Sequence, residues 1–269
     1  MPTIKQNQSV WNAYNWDDAG EIWSSAWGGT SMQWYGTILP RIYAFLHGPT
    51  ILEIAPGFGR WTRFLKDYCN NLIVVDLSEK CIKACQERFA GCSHITYFVN
   101  NGKSLDMVPD GTIDFAFSFD SLVHAEDDVI SAYVSQLSRK LKYDGAAFIH
   151  HSNLGQYSNY YNIYSTVKRI PKVHDLLTKW GIFHDDQWQW RACSMSAKKM
   201  RLYAEKNGLT CISQELITWN TRCFLIDCLS TIVKKESLGS RNNKIFVNAT
   251  FMKEAKYLSK ISQLYDPLQ

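Results

Sequence analysis

Two short apolar runs, each containing an acidic residue at or near its end, enclose a glycine-containing turn early in the chain. The first run, Ile-Leu-Glu53-Ile, leads into Ala55-Pro-Gly57-Phe-Gly59 and then into an amphipathic segment. The second run, Leu-Ile-Val-Val-Asp76, follows that segment. The pattern predicts a strand, a tight turn, a helix and a second, parallel strand. A chain that begins its core in this way is expected to build a parallel α/β sheet that binds ligands at the carboxyl ends of its strands.

The order strand, glycine turn, helix, strand, acid is typical of a site for an adenosine-containing cofactor. Glycines let the backbone approach a ligand closely, and Asp76 can accept hydrogen bonds from both hydroxyls of a ribose. A dinucleotide site requires a third glycine three residues after the second, and that position, three after Gly59, is Thr62. The sequence therefore disfavours a nicotinamide or flavin site. An ordinary strand–turn–helix unit without a ligand is the alternative.

The spacing of these residues resembles motif I of class I S-adenosylmethionine (SAM) methyltransferases, with Ala55 in place of the first glycine. The resemblance implies that Glu53 reaches the methionine end of SAM through water or backbone. It also implies that Ala55, Gly57 and Gly59 line the cofactor and that Asp76 binds its ribose.

Alternating strand and helix patterns continue to about residue 150 and predict a doubly wound parallel sheet. Two later apolar runs, at residues 209–219 and 223–233, are joined by a short polar link and predict an antiparallel hairpin. The fold expected is α/β and Rossmann-like, with seven strands, mostly parallel, ending in this hairpin. The expected division is an N-terminal helical cap segment at residues 1–48 and a SAM-dependent methyltransferase domain at residues 49–269.

The alternation is interrupted after residue 150 by an aromatic segment, residues 155–192, which is long enough to form a lid over the acceptor. Its aromatic side chains are Tyr157, Tyr160, Tyr161, Tyr164, Trp180, Trp188 and Trp190. A second Trp-rich segment, residues 27–34, either folds over SAM or packs in the core.

The family resemblance also places adenine beside the turn that follows the third strand. There Asn101 can hydrogen-bond the ring and Gly102 allows close backbone approach, although a simple Asn-Gly turn is an alternative interpretation. Phe119, at the end of the fourth strand, is assigned to the cofactor site as well.

Polar side chains follow the fourth and fifth strands, which are neighbours in this plan. Asp120 and His124 follow the fourth strand, while His150, His151 and Asn153 end the fifth. Because adjacent parallel strands end at the same rim, these residues are expected to meet where the methyl acceptor binds. Strand alternation sends His150 and His151 to opposite faces, so at most one of them points into the site.

These residues suggest chemistry for a hydroxyl acceptor. A neutral histidine, His124 or His151, can take the hydroxyl proton as the methyl group transfers, and Asp120 can hold the imidazole in its useful tautomer. Two alternatives remain: a divalent metal held by Asp120 and histidines, or packed histidines with Asp120 touching the cofactor. No metal is assigned.

The acceptor is expected to meet Asn153, Trp190 and Arg191. Arg191 can reach the cleft from the lid and pair with a phosphate or carboxylate of the acceptor, or it can form a surface salt bridge or a helix-capping turn. The chain is rich in aromatic residues, with 10 Trp and 14 Tyr, whose faces suit sugar rings and adenine.

Across residues 11–265 the chain is similar to bacterial methyltransferases of glycan and surface-polysaccharide biosynthesis. The similarity rests on the aromatic start, the late hairpin, and the motifs Glu53-Ile-Ala-Pro-Gly57-Phe-Gly59, Phe119-Asp-Ser-Leu-Val-His124-Ala-Glu126 and His150-His-Ser-Asn153. It implies methyl transfer from SAM to a hydroxyl of a sugar, nucleotide sugar or capsule precursor. The alternative is N- or O-methylation of another small metabolite.

Charge and hydropathy indicate neither a nucleic-acid partner nor a membrane span, so a small molecule is the expected partner. A formal net charge of +4 over 269 residues is too small to indicate nucleic-acid binding. No run approaches the roughly 20 apolar residues of a membrane span, and the first residues lack an apolar signal core. Eight cysteines without finger-type spacing are expected to be free thiols in a cytoplasmic protein. Oligomeric state is left open.

Overall fold

The structure, a computed structural model, describes residues 3–180, 190–219 and 224–265. Within these ranges one sheet of eight strands has the order β3-β2-β1-β4-β5-β7-β6-β8. Strands β1 to β5 run parallel, β7 is antiparallel to both β5 and β6, and β8 is parallel to β6. The strands are β1 Thr50–Ile54, β2 Asn71–Asp76, β3 Ile95–Val99, β4 Ile113–Ser118, β5 Leu141–Ser152, β6 Leu209–Ile217, β7 Asp227–Lys234 and β8 Lys244–Asn248.

Helices cover both faces of the sheet. The α-helices are α1 Ile4–Ala13, α2 Thr30–Gln33, α3 Leu39–Ile42, α4 Thr62–Leu65, α5 Glu79–Arg88, α6 Asp127–Lys140, α7 Ser158–Val167, α8 Pro171–Lys179, α9 Ala197–Lys206 and α10 Phe251–Leu264. Short 3₁₀ segments lie at Glu21–Trp27, Tyr43–Phe45, Lys66–Tyr68, Leu122–His124 and Leu154–Tyr157, and Trp34–Ile38 forms a π-helical stretch.

Local sequence signals explain where two of these helices begin. The hydroxyl of Ser78 accepts a hydrogen bond from Cys81 N at the start of α5, and that of Ser196 accepts one from Lys199 N at the start of α9. Each cap satisfies a backbone donor that the first turn of a helix leaves free. After α9 the chain turns at Gly208, whose φ is +71°, a conformation that glycine adopts without strain.

The predicted hairpin is confirmed as β6 and β7, but the expected count of seven strands is wrong. The eighth strand, β8, follows β7 and precedes α10. It is only five residues long, and Ile245, Phe246 and Val247 are all more than half exposed. A strand at the sheet edge that is exposed on both faces lacks the alternation by which buried strands are recognised.

The two faces of the sheet bury separate apolar clusters. Helices α4, α5 and α10 and the N-terminal segment pack on one face, and α6 and α9 pack on the other. Trp27 and Trp34 belong to the first cluster and are 1% and 0% exposed. Trp34 stacks on Phe64 with ring centroids 4.9 Å apart. Of the two interpretations of residues 27–34, the structure therefore favours core packing.

The segment 155–192 is described in part. It contains α7 and α8, and the Tyr157 hydroxyl accepts a hydrogen bond from Leu225 N at 3.1 Å. Trp188 lies outside the described residues. The lid and the boundary between residues 1–48 and 49–269 stay predictions. Among the described residues, no helix is both long and apolar enough to cross a membrane.

Candidate functional site

A cavity opens at the carboxyl ends of β1, β2 and β4, where the sequence places the cofactor. It encloses about 910 Å³ including its open mouth. Its lining includes five residues assigned to the cofactor from the sequence, Ala55, Gly57, Asp76, Gly102 and Phe119. A cavity at this edge of a parallel sheet is the usual place for a nucleotide-like ligand.

The turn after β1 holds residues in the left-handed region of backbone conformation. Ala55 and Gly57 have φ of +58° and +60°, and a Cβ at Gly57 would lie 2.9 Å from the Trp16 ring. Gly59 has a different role, because it does not line the cavity and a Cβ there would meet the Phe89 ring at 2.5 Å. Gly57 thus gives close approach, while Gly59 permits packing against α5.

Asp76 is held with its carboxylate at the cavity wall. Oδ1 accepts a hydrogen bond from Ser78 N at 2.8 Å, and Oδ2 accepts one from Gly57 N at 3.3 Å. Burial raises the pKa of Asp76 to about 6, against the effect of these backbone donors. Each oxygen retains acceptor capacity, so this carboxylate is suited to a pair of ribose hydroxyls.

Glu53 lies beneath the turn, 1% exposed, and does not line the cavity. Its Oε2 accepts a hydrogen bond from the Thr62 hydroxyl at 2.6 Å. Oε1 has no hydrogen-bond partner among the described residues. Burial, with a smaller contribution from Asp76, raises the pKa of Glu53 to about 8. This orphaned oxygen fits an indirect contact to a cofactor, through water or backbone.

The N-terminal segment contributes helix α1 to the cavity wall. Ile4, Asn7 and Trp11 of α1 line it. Asn7 Nδ2 donates to the carbonyl oxygen of His124 at 3.0 Å, which ties α1 to the rim. Ile4, Asn7 and Trp11 are spaced by three and four residues, the pattern in a sequence that indicates one face of a helix.

At the predicted adenine end, the two assigned residues behave differently. Gly102 lines the cavity, and a Cβ there would be 2.8 Å from the Ile4 side chain. The Asn101 side chain accepts hydrogen bonds from Lys103 N and Ser104 N, at 3.0 and 2.8 Å. Asn101 therefore stabilises its own turn through its oxygen, and contact of its amide with adenine stays a prediction.

Asp120 lies at the wall between this cavity and a second one. Its Oδ2 is 2.7 Å from Arg60 Nη2, and both side chains are largely buried. Asp120 was expected to orient an imidazole through its carboxylate. In the structure that carboxylate bonds Arg60, and the ring of His124 is held by another group.

His124 is 8% exposed and lines both cavities. Its Nδ1 lies 2.8 Å from the carbonyl oxygen of Trp190. Because a carbonyl oxygen only accepts, Nδ1 carries the hydrogen and Nε2 carries the lone pair. Among the described residues Nε2 has no hydrogen-bond partner. Burial, and then the charge of Arg191, lowers the pKa of His124 to about 4, so the ring is neutral at pH 7.

His151 lies on the opposite face of β5 from His150 and lines neither cavity. It is fully buried, with Nδ1 2.8 Å from Ser152 O and Nε2 2.8 Å from Ser230 Oγ. Burial lowers its pKa to about 4. Both ring nitrogens are thus engaged within the protein.

The side chain of Asn153 also forms hydrogen bonds within the protein. Its Nδ2 donates to Leu225 O at 2.8 Å, and its Oδ1 accepts from Ala197 N at 2.9 Å. The side chain therefore joins β5 to the start of α9 and to the segment before β7. Residues after β4 and β5 were expected to meet at the acceptor site. In the structure Asp120 and His124 line the two cavities, whereas His151 and Asn153 line neither.

The second cavity is an aromatic cleft of about 830 Å³ including its mouth. The residues that line this aromatic cleft are Val10, Trp11, Tyr14, Trp23, Asp120, His124, Trp190, Arg191 and Trp219. The rings of Trp11 and Trp190 lie 5.3 and 5.5 Å from that of His124. Four residues, Trp11, Trp23, Asp120 and His124, line both cavities.

Arg191 lines this cleft, and its charge is compensated by a buried carboxylate. Its Nη2 is 2.9 Å from Asp227 Oδ2, and Asp227 is fully buried. The pair lowers the pKa of Asp227 strongly despite burial. In the described part of the chain no three His, Cys, Asp or Glu side chains are placed to hold a metal ion.

Three comparisons relate this geometry to known proteins. A methyltransferase-domain family matches residues 51–145, from β1 into β5. Curated proteins give no significant match. The fold is similar to that of a protein from Pyrococcus horikoshii, at TM-score 0.50 and 19% identity, covering 78% of this chain and 95% of the other.

Two further solved structures are SAM-dependent methyltransferases. That from Methanosarcina mazei has TM-score 0.53 and 16% identity, over 72% of this chain and 97% of the other. That from Leishmania major has TM-score 0.56 and 10% identity, over 85% and 82%. These likenesses identify the fold as Rossmann-like, of the methyltransferase type.

Proposed function

We propose that this protein, a SAM-dependent methyltransferase, methylates a hydroxyl group of a sugar or nucleotide sugar, such as a surface-polysaccharide precursor, with His124 as general base. The observation that carries the proposal is the lone pair on His124 Nε2. The His124 side chain that carries it lines both the cofactor cavity and the aromatic cleft, and burial keeps the ring neutral.

SAM is the cofactor and supplies the methyl group. Asp76 would hold its ribose, and the backbone at Gly57 and Gly102 would line it. Ala55 and Phe119 contribute apolar walls to the same cavity. The α1 residues that close the cavity would exclude water from the transferring methyl group.

A hydroxyl acceptor needs a group to take its proton. The Trp190 carbonyl fixes the His124 tautomer, so Nε2 would accept the hydroxyl proton while the methyl group passes from SAM to the acceptor oxygen and SAH is left. His150 and His151 are poorer candidates, because the lone pair of each ring is already engaged. In His150 it accepts from Asp120 N, and in His151 it accepts from Ser230 Oγ.

The aromatic cleft supports a sugar as the acceptor. Its Trp and Tyr rings offer flat apolar faces with few polar groups. Arg191 is already paired with Asp227, which favours a neutral sugar ring over a strongly anionic group at this point. An amine acceptor would need no base, and His124 would then be a packing residue.

The test is a screen of sugars, nucleotide sugars and matched amino sugars for SAM-dependent gain of one methyl group, read by mass spectrometry. On the acceptor found, His124→Asn should lower turnover by about 10²–10⁴-fold. Affinity for S-adenosylhomocysteine (SAH), measured by calorimetry, should stay the same. With SAM saturating, wild-type kcat/KM for the acceptor should be flat between about pH 6 and pH 8, since the pKa of His124 is about 4.

His124→Asn and His124→Ala form a matched pair. Asparagine can still donate to the Trp190 carbonyl but has no base, whereas alanine loses both functions. Equal losses in the two variants support the base. Near-normal turnover in His124→Asn with loss only in His124→Ala would show a structural role, and methylation confined to amines would refute the hydroxyl acceptor.

A further inference from the structure

Asp120 adopts an unfavourable backbone conformation at the wall between the two cavities. Its φ is +65°, in the left-handed region that residues with a Cβ occupy at a cost in free energy. Its carboxylate bonds Arg60 at 2.7 Å. Such a conformation persists where the surrounding structure over-determines it, so a specific group is expected to hold the Asp120 backbone.

That group is His150. The backbone N–H of Asp120 donates to His150 Nδ1 at 3.0 Å. A neutral imidazole accepts only at the nitrogen without hydrogen, so Nδ1 carries the lone pair and Nε2 the hydrogen. Nε2 lies 3.3 Å from Asp227 Oδ2, in a contact too poorly aligned for a hydrogen bond but favourable to a hydrogen on Nε2.

The His150 ring cannot easily turn away from this arrangement. It is fully buried, with centroids 4.7 Å from Phe119 and 5.5 Å from Trp219. Behind it, Asp227 is held by Arg191 at 2.9 Å. His150 lines neither the cofactor cavity nor the aromatic cleft, so it does not touch a substrate in either.

We propose that His150 is a positioning residue that holds Asp120 in its left-handed conformation through Nδ1. Asp120 begins the loop that carries His124, so the same hydrogen bond sets both the Arg60–Asp120 pair and the orientation of His124. The first effect depends only on the cofactor cavity, and the second rests on the proposed function. Loss of SAH binding therefore tests His150 even if no sugar is methylated.

Two amide substitutions distinguish the role of Nδ1 of His150 from that of Nε2. In His150→Asn the amide oxygen can take the place of Nδ1 and accept from Asp120 N. In His150→Gln the amide reaches the position of Nε2 and leaves the Asp120 N–H unpaired. Each variant is compared with wild type by amide hydrogen exchange at Asp120, by calorimetric titration with SAH, and by thermal unfolding.

We expect exchange at Asp120 to be about tenfold faster or more in His150→Gln than in His150→Asn, the scale of one unpaired buried donor. SAH affinity should fall several-fold in His150→Gln and be rescued in His150→Asn. Equal exchange and equal affinity in the two variants would overturn the proposal.

A measurement on the unsubstituted protein does not depend on either variant folding. The ¹⁵N chemical shifts of the His150 ring report which nitrogen carries the hydrogen. A neutral ring with hydrogen on Nε2 agrees with the proposal, and hydrogen on Nδ1 would overturn it.

Discussion

Replacing Glu53 with glutamine should stabilise the cofactor-free protein, and increasingly so as pH rises. The carboxyl group is 1% exposed, and among the described residues only one of its oxygens has a hydrogen-bond partner, Thr62. Burial, with a smaller contribution from Asp76, raises its pKa from 4.5 to about 8. Glutamine keeps the volume and an acceptor for the Thr62 hydroxyl, but it removes the group that resists ionisation.

The magnitude follows from proton linkage. Below the unfolded pKa of 4.5, Glu53 is protonated in both states and has no pH-dependent effect. Above it the unfolded chain releases a proton that the folded protein keeps, so stability falls as pH rises towards about 8. One pKa unit is worth about 1.4 kcal/mol, so the free energy of unfolding should fall by roughly 3 kcal/mol between pH 4.5 and 7, and by 4–5 kcal/mol by pH 8 and above.

The assay is urea unfolding of wild type and Glu53→Gln at several pH values from about 5 to 8, without SAM or SAH, followed by circular dichroism. The quantity of interest is the difference between the two proteins, because other groups titrate in both. Any constant effect of the new amide cancels when that difference is compared across pH. Glu236→Gln, at an exposed position, controls for the loss of one carboxylate.

Two results would refute the reasoning. A difference that does not change with pH would mean that Glu53 ionises normally in the folded state. A difference that shrinks as pH rises would mean that the ionised carboxylate has a native partner, opposite to the orphaned oxygen described above.

The remaining predictions concern the cofactor cavity and the lid. Asp76→Ala should weaken SAH by about 1–3 kcal/mol in calorimetry, the scale of lost hydrogen bonds to a charged group; unchanged affinity would remove it from the ribose site. Gly57→Val should weaken the affinity for SAH further and lower the melting temperature, because φ is +60° and a Cβ would meet a Trp ring at 2.9 Å. The control is Gly91→Val, which should be tolerated because no atom lies within 4 Å of a Cβ there. Residues 155–192 should exchange amide hydrogen more slowly with SAH and acceptor bound, and equal exchange with and without ligands would refute a lid.

The early part of the fold could be predicted because its signals are local. The motif around Gly57 and the acid at Asp76 occur within one strand–turn–helix–strand unit, and Ser78 and Ser196 cap the helices that follow them. Hydrophobic periodicity identifies strands that bury a face. It gave no signal for β8, which is exposed on both faces, and the count of strands was therefore wrong.

The aromatic residues could not be assigned from sequence, because a Trp in the core and a Trp over a ligand have the same chemistry. Trp27 and Trp34 pack inside the core, while Trp11 and Trp16 reach the cofactor cavity. Which of them covers the cavity depends on where the N-terminal segment crosses the sheet, and that path is set by contacts with residues far along the chain.

Sequence alone brought His124, His150 and His151 to one end of the sheet, since neighbouring parallel strands end at one rim. Tertiary structure decided what each can do. The chemistry of an imidazole depends on the partner of each ring nitrogen and on burial. Those partners come from distant segments: the Trp190 carbonyl for His124, the Asp120 amide for His150 and the Ser230 hydroxyl for His151. Only the first arrangement leaves an unbonded lone pair on a ring that lines a cavity, because the carbonyl binds the ring's hydrogen.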